Sequence, residues 1–261
     1  MPPSRHSLHA GRHLARRTLG IGAAALAVLA LVTVAGCAPA RLRNASALIK
    51  ASEPFQSQPA SPAGSLLVVG DSTAVGTGAS SASQSLAGLL ARDHPRLRIV
   101  NLAEDGAKFE DIARQLEGSE RYDVVLIMGG ANDVLRFTRQ KPWRDAMAMA
   151  VQRARARAPT VILMPAGNVG NAPFFYPPVS WLMTQRAKSL HAMAREVAQA
   201  DQAIYVDLYR ERQADPFAQQ PERMNASDHL HPSDAGYAHW YEELKRQAGL
   251  PARIAALRPG P

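Results

Sequence analysis

Ser72, His231 and Asp228 are the residues of this chain whose types and order could break an acyl bond. A serine hydroxyl is a poor nucleophile at neutral pH and needs a neighbouring base to take its proton. His231 suits that part because imidazole titrates near neutrality. Asp228 stands three residues earlier in the stretch Asp228-His229-Leu230-His231, so it can reach back to Nδ1 of His231 and hold the productive tautomer. His229 is the alternative base, but one residue from Asp228 it would present its ring differently. Ser72 lies in Gly70-Asp71-Ser72, directly after an apolar run, and a second apolar run leads into Gly130-Ala131-Asn132-Asp133, with Gly106 between them. Each segment alone is weak evidence. Gly-Asp-Ser arises by chance, Gly106 alone could be a turn residue, and Asn132 alone a helix cap. Four in series, in the order that acyl chemistry needs, are hard to assign to chance.

The set resembles the SGNH (GDSL-type) hydrolase family, whose four name-giving residues would here be Ser72, Gly106, Asn132 and His231. The resemblance covers roughly residues 65 to 247. It implies a serine esterase that works through a covalent acyl-enzyme, without cofactor or metal. It also implies an oxyanion hole made by the backbone N–H groups of Ser72 and Gly106 and the side-chain amide of Asn132. The physical case is coherent: glycine allows close backbone approach, and an asparagine amide donates without ionising. Losing one such donor costs roughly a hundred- to a thousandfold in rate. Asp71 and Asp133 read as supports of their loops. Thr73 replaces the leucine usual in the family, a change that touches a pocket wall and not the chemistry. The same parts would serve transfer of an acyl group to an envelope polysaccharide hydroxyl, or a lysophospholipase or thioesterase. A non-catalytic polysaccharide-binding envelope protein would have no need to keep nucleophile, base and donors together.

Other motifs fail on inspection. Ala74 stands where Gly-x-Ser-x-Gly needs its second glycine, so the nucleophile elbow of α/β-hydrolases is absent. Gly76-Thr77-Gly78 begins a dinucleotide-like pattern that Ser81 breaks. The histidines are too scattered for a metal-binding pattern.

Short apolar runs supply the elements that must position these residues: Leu66–Val69, Leu97–Val100, Val124–Met128, Val161–Met164 and Ile204–Val206. Such runs suit strands buried on both faces of a parallel sheet. Helical stretches near 82–92, 107–118, 141–157, 180–199 and 233–247 separate or follow them. In the last, Tyr237, Trp240, Tyr241 and Leu244 form one apolar stripe, with Ser233 as N-cap and Gly249 as C-cap. Strands alternating with helices imply right-handed βαβ units and a three-layer α/β/α domain, flavodoxin-like, with a central parallel sheet of about five strands. Ligands in such sheets bind outside the carboxyl ends of the strands, where Ser72, Gly106, Asn132 and the Asp228–His231 loop all fall. The insert from Pro165 to Pro178, with Asn168, Asn171, Phe174, Phe175 and Tyr176, is the expected pocket wall, beside a shallow groove suited to short acyl chains.

The first residues read as export machinery. Arg5, Arg12, Arg16 and Arg17 precede an uncharged run from Leu19 to Val34, too short for a comfortable membrane span and right for a signal-peptide core. It ends in Val34-Ala35-Gly36-Cys37, which resembles a bacterial lipobox cut before Cys37 once that thiol carries diacylglycerol; a plain secretory signal is the alternative. Arg16-Arg17 also raises twin-arginine export, though Thr18-Leu19-Gly20 continues it poorly. The expected organisation is a signal peptide at 1–36, a flexible tether at 37–64, the hydrolase domain at 65–250 and a tail at 251–261. The expected location is the periplasmic face of the outer membrane, held by lipid on Cys37. The single cysteine excludes an internal disulfide. Removing residues 1–36 takes away four arginines and no acid, so a net charge of +8 becomes 26 basic against 22 acidic residues, or +4. That modest bias, with Arg153, Arg155 and Arg157 spread around a helix, argues against nucleic acid as a partner. The expected partners are an ester substrate, small or envelope-borne, and the membrane.

Overall fold

The structure, a computed structural model, describes residues 40–255. The chain divides at Arg43/Asn44 into two units, and of the first only residues 40–43, which are helical, are described. The expected signal peptide at 1–36 and the expected lipid site Cys37 lie outside the described residues. In the second unit five parallel strands form one sheet: β1 Gly64–Gly70, β2 Leu97–Asn101, β3 Val124–Gly129, β4 Thr160–Pro165 and β5 Ile204–Tyr205. Their spatial order is β2-β1-β3-β4-β5. All six residues of β3 are buried, as its unbroken apolar run requires of a central strand covered on both faces.

Alternation along the strands sorts the core into two layers. Leu67, Val69, Val125, Ile127, Val161 and Leu163 face one side, under α3 Phe109–Gln115, α5 Gln140–Arg157 and α6 Val179–Ala200. Leu66, Val68, Val124, Leu126, Ile162 and Met164 face the other, under α2 Leu86–Asp93 and α9 Asp234–Ala248. The remaining helices are short: α1 Ser72–Val75, α4 Ala131–Leu135, α7 Pro216–Gln219, α8 Pro221–Met224 and α10 Leu250–Ala255. Chain connections leave the sheet in opposite directions from β1 and from β3, so a crevice opens between the ends of these neighbours.

Two boundaries differ from the sequence reading. Much of the expected tether at 37–64 is built into the fold. Residues 44–51 are helical, and the proline-rich stretch after them runs along β2. Ser57 exchanges backbone hydrogen bonds with Ile99 at 3.0 and 2.9 Å. The Gln56 side chain accepts from the N–H of Asn101 at 3.0 Å and donates to its carbonyl at 2.7 Å. The cause is the open edge of β2, whose unpaired backbone groups need partners. The expected tail at 251–261 likewise begins as helix α10, where buried Leu250 and partly buried Ile254, one turn apart, close the end of the second core layer.

Two buried carboxylates brace the crevice. Asp71 caps α1: its Oδ1 accepts from the N–H of Thr73 at 2.9 Å and from its hydroxyl at 2.7 Å, while Oδ2 has no partner. Asp133, in α4, accepts from the N–H of Phe109 at 2.9 Å and so ties the start of α3 to α4. Burial pushes both carboxyls up, Asp71 to about 6, against the hydrogen bonds from Thr73. A carboxyl raised on folding contributes stability below its unfolded pKa, and that contribution is lost as pH rises through the folded value. We therefore expect stability to fall between about pH 4 and pH 7 by up to about 3 kcal/mol through Asp71. In Asp71→Asn that slope should be missing from urea unfolding curves; an unchanged slope would assign it to other groups.

Candidate active site

Ser72 is placed by the abrupt end of β1. Gly70 passes so near β3 that a Cβ there would lie 1.9 Å from the carbonyl oxygen of Met128. Both backbone polar groups of Gly70 are gripped by the Gln115 amide, at 2.8 and 3.0 Å. With Asp71 as N-cap, Ser72 becomes the first residue of α1, where backbone N–H groups lack intrahelical acceptors. Its hydroxyl sits 3.0 Å from Nε2 of His231.

The histidine arrives from the loop between α8 and α9. That loop is closed by Ala226 N–H to the His231 carbonyl at 2.8 Å and Ser233 N–H to the Met224 carbonyl at 3.0 Å. Inside it Asp228 is wholly buried, and its Oδ1 accepts from the N–H groups of Leu230 and His231, both at 3.0 Å. Its Oδ2 takes Nδ1–H of His231 at 2.6 Å. Burial alone would push Asp228 up. The hydrogen bond and charge of His231, with the two N–H groups, outweigh it and hold the carboxyl below its usual range. Of the two histidines, His231 thus meets both Ser72 and Asp228. His229 adopts a left-handed backbone (φ 60°), which turns the chain between them, and it does not line the cavity.

Gly106 follows β2 with φ 79°, a conformation that favours glycine. Asp105 beside it is tied to the Thr77 hydroxyl at 2.6 Å. Asn132 sits in the first turn of α4, after Gly130 (φ 99°), and its amide donates to the carbonyl of Ala107 at 3.2 Å. An amide carries two hydrogens, so one remains for a bound oxyanion. Ser72, Gly106, Asn132 and His231 line one cavity of about 230 Å³. Among the described residues no group of three or more His, Cys, Asp or Glu side chains is placed to hold a metal ion.

The cavity's lining differs from the expected one. Leu135, Val169, Leu208, Phe217 and Trp240 wall it, and Ala45 and Ile49 of the helical segment 44–51 add to it. Of the insert from Pro165 to Pro178, Ala166 to Val169 and Ala172 line the cavity, whereas Asn171, Phe174, Phe175 and Tyr176 do not. Asn171 is spent inside, donating to Asp215 Oδ2 at 2.7 Å. Trp240, which the apolar stripe of α9 marks as core, serves both core and cavity. Phe217 was signalled only by Asp215-Pro216, a cap followed by a proline at the first helical position. Arg136 was missed, although it stands four residues after Asn132, one helical turn on.

The arrangement can activate a hydroxyl, receive a tetrahedral oxyanion and house an apolar group. Comparison with known proteins supplies the family. The GDSL-like esterase Rv1075c of Mycobacterium tuberculosis is 29% identical over 182 residues, 66% of this chain and 58% of that protein's length. Among solved structures, the acetylxylan esterase Axe2 of Geobacillus stearothermophilus shares the fold at 22% identity and TM-score 0.53, over 72% of this chain and 95% of its own. The lipase/acylhydrolase of Enterococcus faecalis does so at 24% and 0.53, over 76% and 98%. A family model spans residues 68–239, from β1 into α9, and by that match the chain belongs to the GDSL-like lipase/acylhydrolase family.

Proposed function

We propose that this chain is an exported serine esterase that cleaves carboxylic esters through an acyl-enzyme on Ser72. The observation that carries the reading is the relay from Ser72 Oγ to His231 at 3.0 Å and on to Asp228 at 2.6 Å, opening on an apolar cavity. His231 takes the hydroxyl proton as Oγ attacks the ester carbonyl. The oxyanion faces the N–H groups of Ser72 and Gly106 and the Asn132 amide. His231 then returns the proton to the leaving alcohol, and a water deprotonated by the same ring releases the acid. Asp228, kept ionised, holds the ring and offsets its positive charge.

The cavity falls below the 300–1,000 Å³ typical of sites for drug-sized ligands. That size favours short acyl groups, consistent with the acetyl ester named for Axe2. In the cell we place the enzyme on the periplasmic face of the outer membrane, anchored by diacylglycerol on Cys37. The support is the Val34-Ala35-Gly36-Cys37 sequence after an uncharged segment.

Ser72→Ala should abolish cleavage of p-nitrophenyl butyrate and labelling by an organophosphonate; labelling kept at another residue would move the site. Asp228→Asn should be milder, and Asn132→Ala should lower kcat more than it raises KM. Adding an alcohol acceptor to the same assay separates hydrolysis from acyl transfer. Across esters of two to sixteen carbons, kcat/KM should peak at six or fewer. Phe217→Ala, which removes bulk from the cavity wall, should move that peak to longer chains, whereas a wild-type maximum at twelve or beyond would favour a lysophospholipase or thioesterase. Cys37→Ser should move the protein from the membrane to the soluble fraction; an unmodified thiol on soluble wild-type protein would refute the anchor.

A further inference from the structure

We infer that Arg136 forms an anion subsite of the cavity, taking a carboxylate or phosphate that the substrate carries near its scissile ester. The inference rests on the esterase reading and names a substrate class for it. Arg136 is the one lysine or arginine among the residues that line the cavity. Its N–H donates to the carbonyl of Asn132 at 2.9 Å, one helical turn back, so the two side chains leave the same face of α4. Its Nη2 lies 3.1 Å from where a Cβ on Gly106 would stand. The guanidinium therefore occupies the space beside the oxyanion loop that the glycine leaves clear.

An arginine built for structure is spent on structure. Arg186 donates to the carbonyls of Val134, Asp133 and Thr138, and Arg157 to those of Glu120 and Glu117. Arg210 donates to the carbonyls of Asp207 and Tyr209 and pairs with Glu243. The side chain of Arg136, exposed at the rim of the cavity, makes no hydrogen bond or ion pair among the described residues, and so keeps five donors in a planar fork. The carboxylate in the cavity wall does not answer it, because Asp215 is taken by the Asn171 amide and the N–H of Phe217 at 3.0 Å. A free fork at the rim of a mostly apolar cavity is matched by a planar carboxylate or a phosphate, which it can grip with two parallel hydrogen bonds.

Matched ester pairs test this, and they also tell an acyl-side anion from an alcohol-side one. The acyl pair is p-nitrophenyl hydrogen succinate against its methyl ester. The alcohol pair is 1-acetylglycerol 3-phosphate against 1-acetylglycerol, followed by acetate release. In the wild type kcat/KM should favour the charged member of at least one pair by roughly tenfold or more, the scale of a charge-assisted hydrogen bond. In Arg136→Gln that ratio should collapse towards one, and Arg136→Lys should restore part of it. A wild-type ratio near one in both pairs, or a ratio unmoved in Arg136→Gln, would overturn the subsite. Calorimetric titration with succinate and with glycerol 3-phosphate reads the same site without turnover. If no ester is cleaved, weaker binding to Arg136→Gln would keep the subsite and reject the esterase reading, whereas equal binding would reject the subsite.

Discussion

Strands β1 and β3 run past one another with no side chain between their ends. Gly70 lies against the carbonyl of Met128, and the N–H of Asp71 donates to that same carbonyl at 3.1 Å. Gly129 opposite leaves room for Ile112 and for the Asp71 carboxylate, which a Cβ there would meet at 2.7 and 3.3 Å. From this close approach the rest follows. The chain must turn at once into α1, which presents Ser72 at a helix start, and into α4, which presents Asn132 across the crevice. A wider gap would lose the reach between them, because both side chains are short.

Two aspartates beside Ser72 and His231 illustrate how environment divides chemically identical groups. Asp228 receives three hydrogen bonds, one from the imidazole it serves, and its charge is held. Asp71 receives two, both on one oxygen and both from Thr73, and burial pushes it up to about 6. The threonine that departs from the family's usual leucine thus supplies both hydrogen bonds that Asp71 receives, leaving Oδ2 without a partner. It exchanges an apolar side chain for a hydroxyl donor next to Ser72 in the chain.

Much of this arrangement was legible in the sequence, for physical reasons that vary by element. Runs such as Val124–Met128 announce strands because burial on both faces removes every polar residue. Ser72, His231 and Asp228 could be read from residue type and chain order, since a parallel sheet delivers its loops to one edge. Segments stabilised only by tertiary contact were opaque. The stretch around Ser57 has no alternation and several prolines, and its hydrogen bonds come from backbone groups whose partners belong to β2. Phe174 to Tyr176 looked like a pocket wall by composition. The backbone there is drawn instead to the loop that carries Asp228 and His231, with Phe174 N–H donating to the carbonyl of His229 at 3.0 Å.

The strip along β2 also bears on what a second copy of the chain would meet at that edge. An open edge strand offers a template on which a second copy could add, the first step towards sheet-to-sheet aggregation. The strip covers Ile99 and Asn101 of that edge, and prolines at 54, 59 and 62, which lack an N–H, reduce the donors it offers outward. A chain begun at Gly64, where its strands begin, would keep every residue of the relay. It would lose that strip, along with Ala45 and Ile49 from the cavity wall. Solubility and substrate fit, which look like separate properties, therefore share one short stretch of sequence ahead of the first strand.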